Sequence, residues 1–218
     1  MSRAASASPN APSLSGGLRI AYWVCFLIAI AVVVRRVLSM AGAIPAANSG
    51  LGSLDAAFAS RAALTLAHVL PALAFVLLTP LVMFRASAVP VWLQRLLFPL
   101  GVIVGVTAYA MSSHAIGGWI ERSAVLFFNS LFLFALFQAY RFGRGGDSTL
   151  QRQWLMRAIW ILLGVATTRP VMGVFFATRS LTHLEPSQFF GIAFWIGFSI
   201  NTIAVECWIA RNRHSAQP

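Results

Sequence analysis

The chain has 218 residues, of which 59% are hydrophobic and 10% charged, and its mean hydropathy is +0.79. A soluble globular domain carries about 25% charged residues, so the composition excludes a water-soluble fold as the leading reading. The net charge of +11 comes wholly from sixteen arginines, and these punctuate long apolar runs without clustering on a polar face, which speaks for membrane topology and against nucleic acid as a partner.

A membrane-spanning helix needs roughly 20 apolar residues to cross about 30 Å of hydrocarbon. Six runs meet that need, at about Leu18 to Val34, Ala62 to Phe84, Leu96 to Ser113, Ser123 to Tyr140, Trp154 to Ala177 and Gln188 to Ala210. They are continuously apolar and lack the alternation of a membrane barrel strand. The predicted fold class is therefore all-α, an integral membrane bundle of six transmembrane helices spanning 18–210. It is preceded by a Ser-, Pro- and Gly-rich disordered tail over 1–17 and followed by a short basic tail over 211–218.

The first helix with its tail has the outline of a signal peptide, but Arg35 and Arg36 follow the apolar run directly and sit awkwardly before a cleavage site, so an uncleaved anchor is expected. Orientation follows from arginine counts in the short loops. With the N-terminus inside, the inner side holds ten arginines and the outer side five, the latter accompanied by Asp55, Glu121 and Glu185. Both termini are thus expected in the cytoplasm, in a bacterial inner membrane, with the Ala- and Gly-rich loop Ser39 to Arg61 outside.

The third run contains Gly101 and Gly105, a GxxxG spacing that lets another helix approach closely, and packing within the chain is preferred to dimerisation. Tryptophans such as Trp92, Trp119 and Trp154 fall near predicted helix ends and read as an interfacial belt. Cys25 and Cys207 form no CxxC and read as small buried residues.

Ionisable groups within the hydrocarbon are the informative positions, because each costs roughly 3 kcal/mol on insertion scales unless paired or hydrated. At a rise of about 1.5 Å per residue, His68 lies about 9 Å deep from the outer side, and Arg169 and Asn129 fall at nearly the same level. With Thr168, and with Thr167, Tyr109 or Ser112 nearby, they would line a polar chamber in the outer half of the bundle. Pro170 adds to this by leaving the Ala166 carbonyl without its helical donor. The competing reading is a buried polar network that only fixes helix packing. On the inner side Arg157 and Glu206 sit at matching depths, and a structural ion pair joining the last two helices is expected.

A membrane cytochrome needs histidines at a common depth on facing helices. His68 and His114 are the weak candidates for haem or a metal ion, with Glu121 or Glu185 nearby, and their depths match poorly. No GxSxG, HExxH, Walker or dinucleotide fingerprint occurs, so enzymatic chemistry has no motif to rest on.

The run Gln151-Arg-Gln-Trp-Leu-Met-Arg157 followed by Ala166-Thr-Thr-Arg169-Pro170, with the closing stretch from Trp195 to Glu206 and with His68 early in the second helix, resembles an uncharacterised bacterial family of membrane proteins, domain of unknown function 2306. The resemblance covers roughly residues 62–210. Where the family has histidines before its third and fifth helices this chain has Val-Trp-Leu-Gln-Arg95 and Gln151, so no three-histidine set is carried over. The family supplies no established activity.

Three readings of function remain. The first is a binding or transport protein that takes a small polar or anionic ligand in a chamber of His68, Asn129, Thr168 and Arg169. The second is a redox protein that holds haem or quinone. The third is an accessory subunit that serves a protein partner within the membrane.

Overall fold

A computed structural model describes residues 15–42, 58–84, 89–183 and 185–214. Six long helices account for nearly all of them: α1 (Gly16–Met40), α2 (Ala62–Met83), α3 (Val91–Ser112), α4 (Gly118–Arg144), α5 (Ser148–Ala177) and α6 (Pro186–His214). Each is long and apolar enough to cross a membrane, and the described residues contain no strand. A four-residue helical turn, Arg179–Thr182, lies between α5 and α6. The fold is an all-helical bundle with six candidate spans, as expected.

The helices run past the apolar stretches that announce them. The first begins at Gly16, inside the expected tail, and carries Arg35 and Arg36 in its closing turns. Arginine is a good helix former whose long stem reaches out of an apolar layer, so a charged pair need not end a membrane helix. At the other end of the chain α6 continues through 211–214, where a basic tail was expected. An Asp147 cap starts α5 six residues earlier than the apolar run, its carboxylate accepting from the Leu150 N–H at 2.9 Å. Most of the expected disordered tail and of the long loop, 1–14 and 43–57, lies outside the described residues.

The fifth helix is the centre of the bundle. It packs on α6, α4, α1 and α2, and buried side chains such as Leu155, Trp160, Leu163 and Met172 point from it in several directions, as befits a helix surrounded by others. Around it α1, α2, α3, α4 and α6 form an arc in which consecutive members touch, except that α5 itself stands between α1 and α6. Large apolar side chains such as Ile20, Leu27, Val106, Phe137 and Ile203 face outward, which suits a lipid surround and no aqueous one.

Two seams show why the sequence packs this way. At α3/α4 a Cβ built on Gly101 would lie 2.6 Å from a Leu136 methyl, and one on Gly105 would lie 2.5 Å from a Leu133 methyl. The GxxxG pair therefore serves contacts within the chain. At α5/α6 a Cβ on Gly197 would meet the Thr168 backbone nitrogen at 2.7 Å, so these two helices touch backbone to side chain.

The helices also contain prolines, at Pro71, Pro80, Pro99 and Pro170, without breaking. Pro80 deprives the Val76 carbonyl of its helical donor, and the Thr79 hydroxyl replaces it at 2.7 Å. With its own proton so used, Thr79 accepts from the Tyr22 hydroxyl at 2.6 Å, and the repair of one helix becomes a tie to another.

Candidate functional site

All six helices contribute to one cavity of about 250 Å³. Its walls follow helical periodicity. The second helix presents Thr65, His68, Val69, Ala72 and Val76, which fall on one helical face, and α4 presents Glu121, Val125, Phe128, Asn129 and Phe132. The fifth helix adds Ile161, Leu162, Val165, Ala166 and Arg169. The start of α1 and the end of α6 lie at one end of the bundle; the cavity's polar residues gather toward the opposite end, which carries the α3/α4 turn.

Of the four residues expected in the chamber, His68, Asn129 and Arg169 line it, and so does Ser112. Thr168 does not. It is fully buried in the α5/α6 seam, its hydroxyl donating to the Val165 carbonyl at 2.6 Å and its side chain against Gly197. The reason is rotational: successive helical residues differ by about 100° in direction, so Arg169 at the right level and facing the cavity turns its neighbour away. Thr167 faces α6 and α1, donating to Asn201 Oδ1 at 2.7 Å and lying 3.5 Å from Cys25 Sγ. The Asn201 amide in turn donates to the Trp160 carbonyl at 3.2 Å, so these groups form a packing network apart from the cavity. Tyr109 points to Ser130 at 2.7 Å on an exposed face.

Within the cavity the polar groups differ in how far the protein satisfies them. Ser112 and Thr65 donate to carbonyls of their own neighbourhood, Tyr109 and Phe58. Asn129 spends its amide on the Gly105 carbonyl at 2.9 Å, a bond between α4 and α3 that the close approach at Gly105 allows. His68 Nδ1 lies 2.9 Å from the Thr107 hydroxyl, whose proton has a nearer acceptor in the Ile103 carbonyl at 2.7 Å. That network assigns the donor role to His68 Nδ1–H and leaves Nε2 with its lone pair.

Arg169 is the outlier. Its Nη1 has only the Met172 sulfur, at 3.8 Å, and its buried Nε has no hydrogen-bond partner. Among the described residues no carboxylate lies within ion-pairing distance of it. Glu121, in the first turn of α4, is the carboxylate that acts on Arg169 through space, against the like charges of Arg36 and Arg35, while its Oε2 accepts the Gly117 N–H at 2.6 Å.

Two rim residues stand outside the expected chamber set, although Glu121 is expected near His68 and His114. Arg36 lines the cavity from α1 with Val32 and Val33, its guanidinium 3.9 Å from the Phe58 ring centroid, and Glu121 lines it from α4. Their signal is periodic: each lies seven or eight residues, two helical turns, from a wall residue on its own helix, Ala29 and Asn129 respectively.

His114 also lines the cavity, with Nδ1 2.8 Å from the Ser113 hydroxyl. It stands seven positions beyond Thr107, the α3 residue level with His68, so the two histidines are offset by about 10 Å along the helix axis. Two ligands of one iron face each other across it, and this pair does not share a level. Among the described residues no cluster of three or more His, Cys, Asp or Glu is arranged to hold a metal ion.

The second intramembrane arginine is fully engaged. Arg157 donates to Glu206 from Nε at 2.6 Å and from Nη2 at 3.0 Å, a two-pronged pair between α5 and α6, and its guanidinium stacks 4.4 Å from the Trp154 ring centroid. Arg157 is mostly buried, while Glu206 is half exposed. The expected ion pair is thus present in the geometry.

Comparison with known protein families, with curated proteins and with solved structures finds no match for this chain.

Proposed function

We propose that this is a multi-pass membrane protein that binds a small anionic or polar ligand in the chamber, with Arg169 as the group that holds the negative charge and with Asn129 and His68 as its polar neighbours. The observation that carries this reading is the unfilled hydrogen-bonding capacity of Arg169 among apolar walls. A guanidinium in low dielectric is costly to leave without a counter-charge, and it matches planar oxyanions with two parallel donors. A protein whose only use for Arg169 was packing would gain from replacing it with an apolar residue of the same size.

The arginine asymmetry supports both termini in the cytoplasm and the chamber in the outer half, while His68 and the runs 151–157, 166–170 and 195–206 support kinship with the domain of unknown function 2306 family and with it a bacterial inner membrane. Reporter fusions after residues 115 and 146 test that orientation, since the two turns belong to opposite sides.

Ligand binding is tested by thermal unfolding of the detergent-purified protein with acetate, benzoate, octanoate and phosphate, because a ligand that binds only the folded state raises its Tm. The expected result is a saturable rise with at least one anion that Arg169→Gln abolishes. No shift with any anion, or an undiminished shift in Arg169→Gln, overturns the reading.

A further inference from the structure

The cavity is polar at one end and apolar at the other. Below Arg169 its α5 wall continues through Val165 and Leu162 to Ile161, eight residues on, and below His68 its α2 wall continues through Ala72 to Val76, again eight residues. At 1.5 Å per residue each of these walls descends about 12 Å. Apart from Asn129, the side chains that line this lower part are apolar, Phe132 of α4 among them. A site for a small hydrophilic anion has no need of this depth, which would hold a dry void or disordered water against apolar walls.

From this gradient we infer the class of ligand: a single-chain amphipathic monoanion, a medium-chain carboxylate, with its head at Arg169 and its alkyl chain running down between α2, α4 and α5. The inference rests on the anion-binding reading and adds the ligand's shape. The head is set by Arg169, whose planar fork suits one carboxylate; of the other charged groups on the cavity wall, Arg36 acts on Arg169 with the same sign and Glu121 with the opposite sign. The length is fixed by the walls: an extended alkyl chain with C–C bonds of about 1.5 Å advances about 1.3 Å per carbon, so about 12 Å takes eight to ten carbons. Apolar contact along the chain then supplies affinity that the head alone does not.

The experiment is a set of equilibrium titrations on the full chain in detergent, followed by native mass spectrometry, with acetate, octanoate, hexadecanoate and 1-octanol as probes. Octanoate is expected to bind at least tenfold more tightly than acetate, than hexadecanoate and than the uncharged alcohol. If acetate equals octanoate, the anion site stands and the inferred chain fails. If hexadecanoate is tightest, the apolar part extends beyond the lining walls and the length is overturned. If octanol equals octanoate, charge plays no part and both readings fall; if nothing binds, both fall as well. Phe132→Leu, which removes atoms from the apolar wall without adding any, is expected to move the optimum to a longer chain, and an unmoved optimum overturns the placement of the alkyl tail.

Discussion

The two arginines within the apolar layer of α5 sit on one helix, three turns apart, and are treated in opposite ways. Arg157 has a carboxylate gripping it from α6 and a tryptophan beneath it; Arg169 has a thioether at 3.8 Å and an orphaned Nε. A cation whose partners are supplied by the fold stabilises that fold, whereas one whose partners are missing costs stability and is worth that cost only for something the protein meets later. The contrast separates structure from function without any motif to lean on.

The largest expected effect removes both sites together. Gly197→Leu places a side chain against the Thr168 backbone nitrogen, which cannot yield as a side chain can, so the α5/α6 seam should open at a cost of about 3 kcal/mol or more. Thermal unfolding in detergent should show it, along with loss of any anion response. Glu206→Gln should divide the sites, lowering stability by about 2 kcal/mol, less than for a fully buried pair because Glu206 is half exposed, while the anion response persists. A wild-type Tm in that variant would sink the structural role of the pair. Arg169→Gln should do the reverse: stability holds within about 1 kcal/mol of wild type or rises, and the anion-induced shift disappears. Smallest is Thr168→Val, whose hydroxyl bonds only within its own helix; a change of about 0.5 kcal/mol and an unaltered anion response are expected, and a lost response would return Thr168 to the chamber.

What the sequence made legible was axial. Counting residues located six helices, gave His68, Asn129 and Arg169 to one half of the bundle, where they line one cavity, and matched Arg157 to Glu206, because rise per residue is nearly constant whatever the helix packs against. Direction around the axis was harder to read. Thr168 shares its level with Arg169 yet faces the opposite seam, and Glu121 and Arg36 face the cavity although each had been assigned to a loop or an edge. Facing depends on which neighbour each helix meets, and every face of these helices is apolar, so the usual contrast between a wet side and a dry side is missing. Trp160 shows the same limit. Most tryptophans suit an interfacial belt, but this one is buried beside Tyr22 in the middle of the bundle.

The Gly117 N–H that holds Glu121 has a kinetic consequence. Glu121 is the acidic group on the cavity wall best placed to neutralise Arg169, and it is pinned at the start of α4 by a 2.6 Å bond to the chain that precedes it, in the first turn where helix-end donors favour a carboxylate. An ion-paired arginine would have to be released before it could accept a guest, and that rupture would appear as a slow step. Here the competitor is tethered. An arriving anion finds the guanidinium already open, and its association is limited by reaching the chamber and not by breaking a bond inside it.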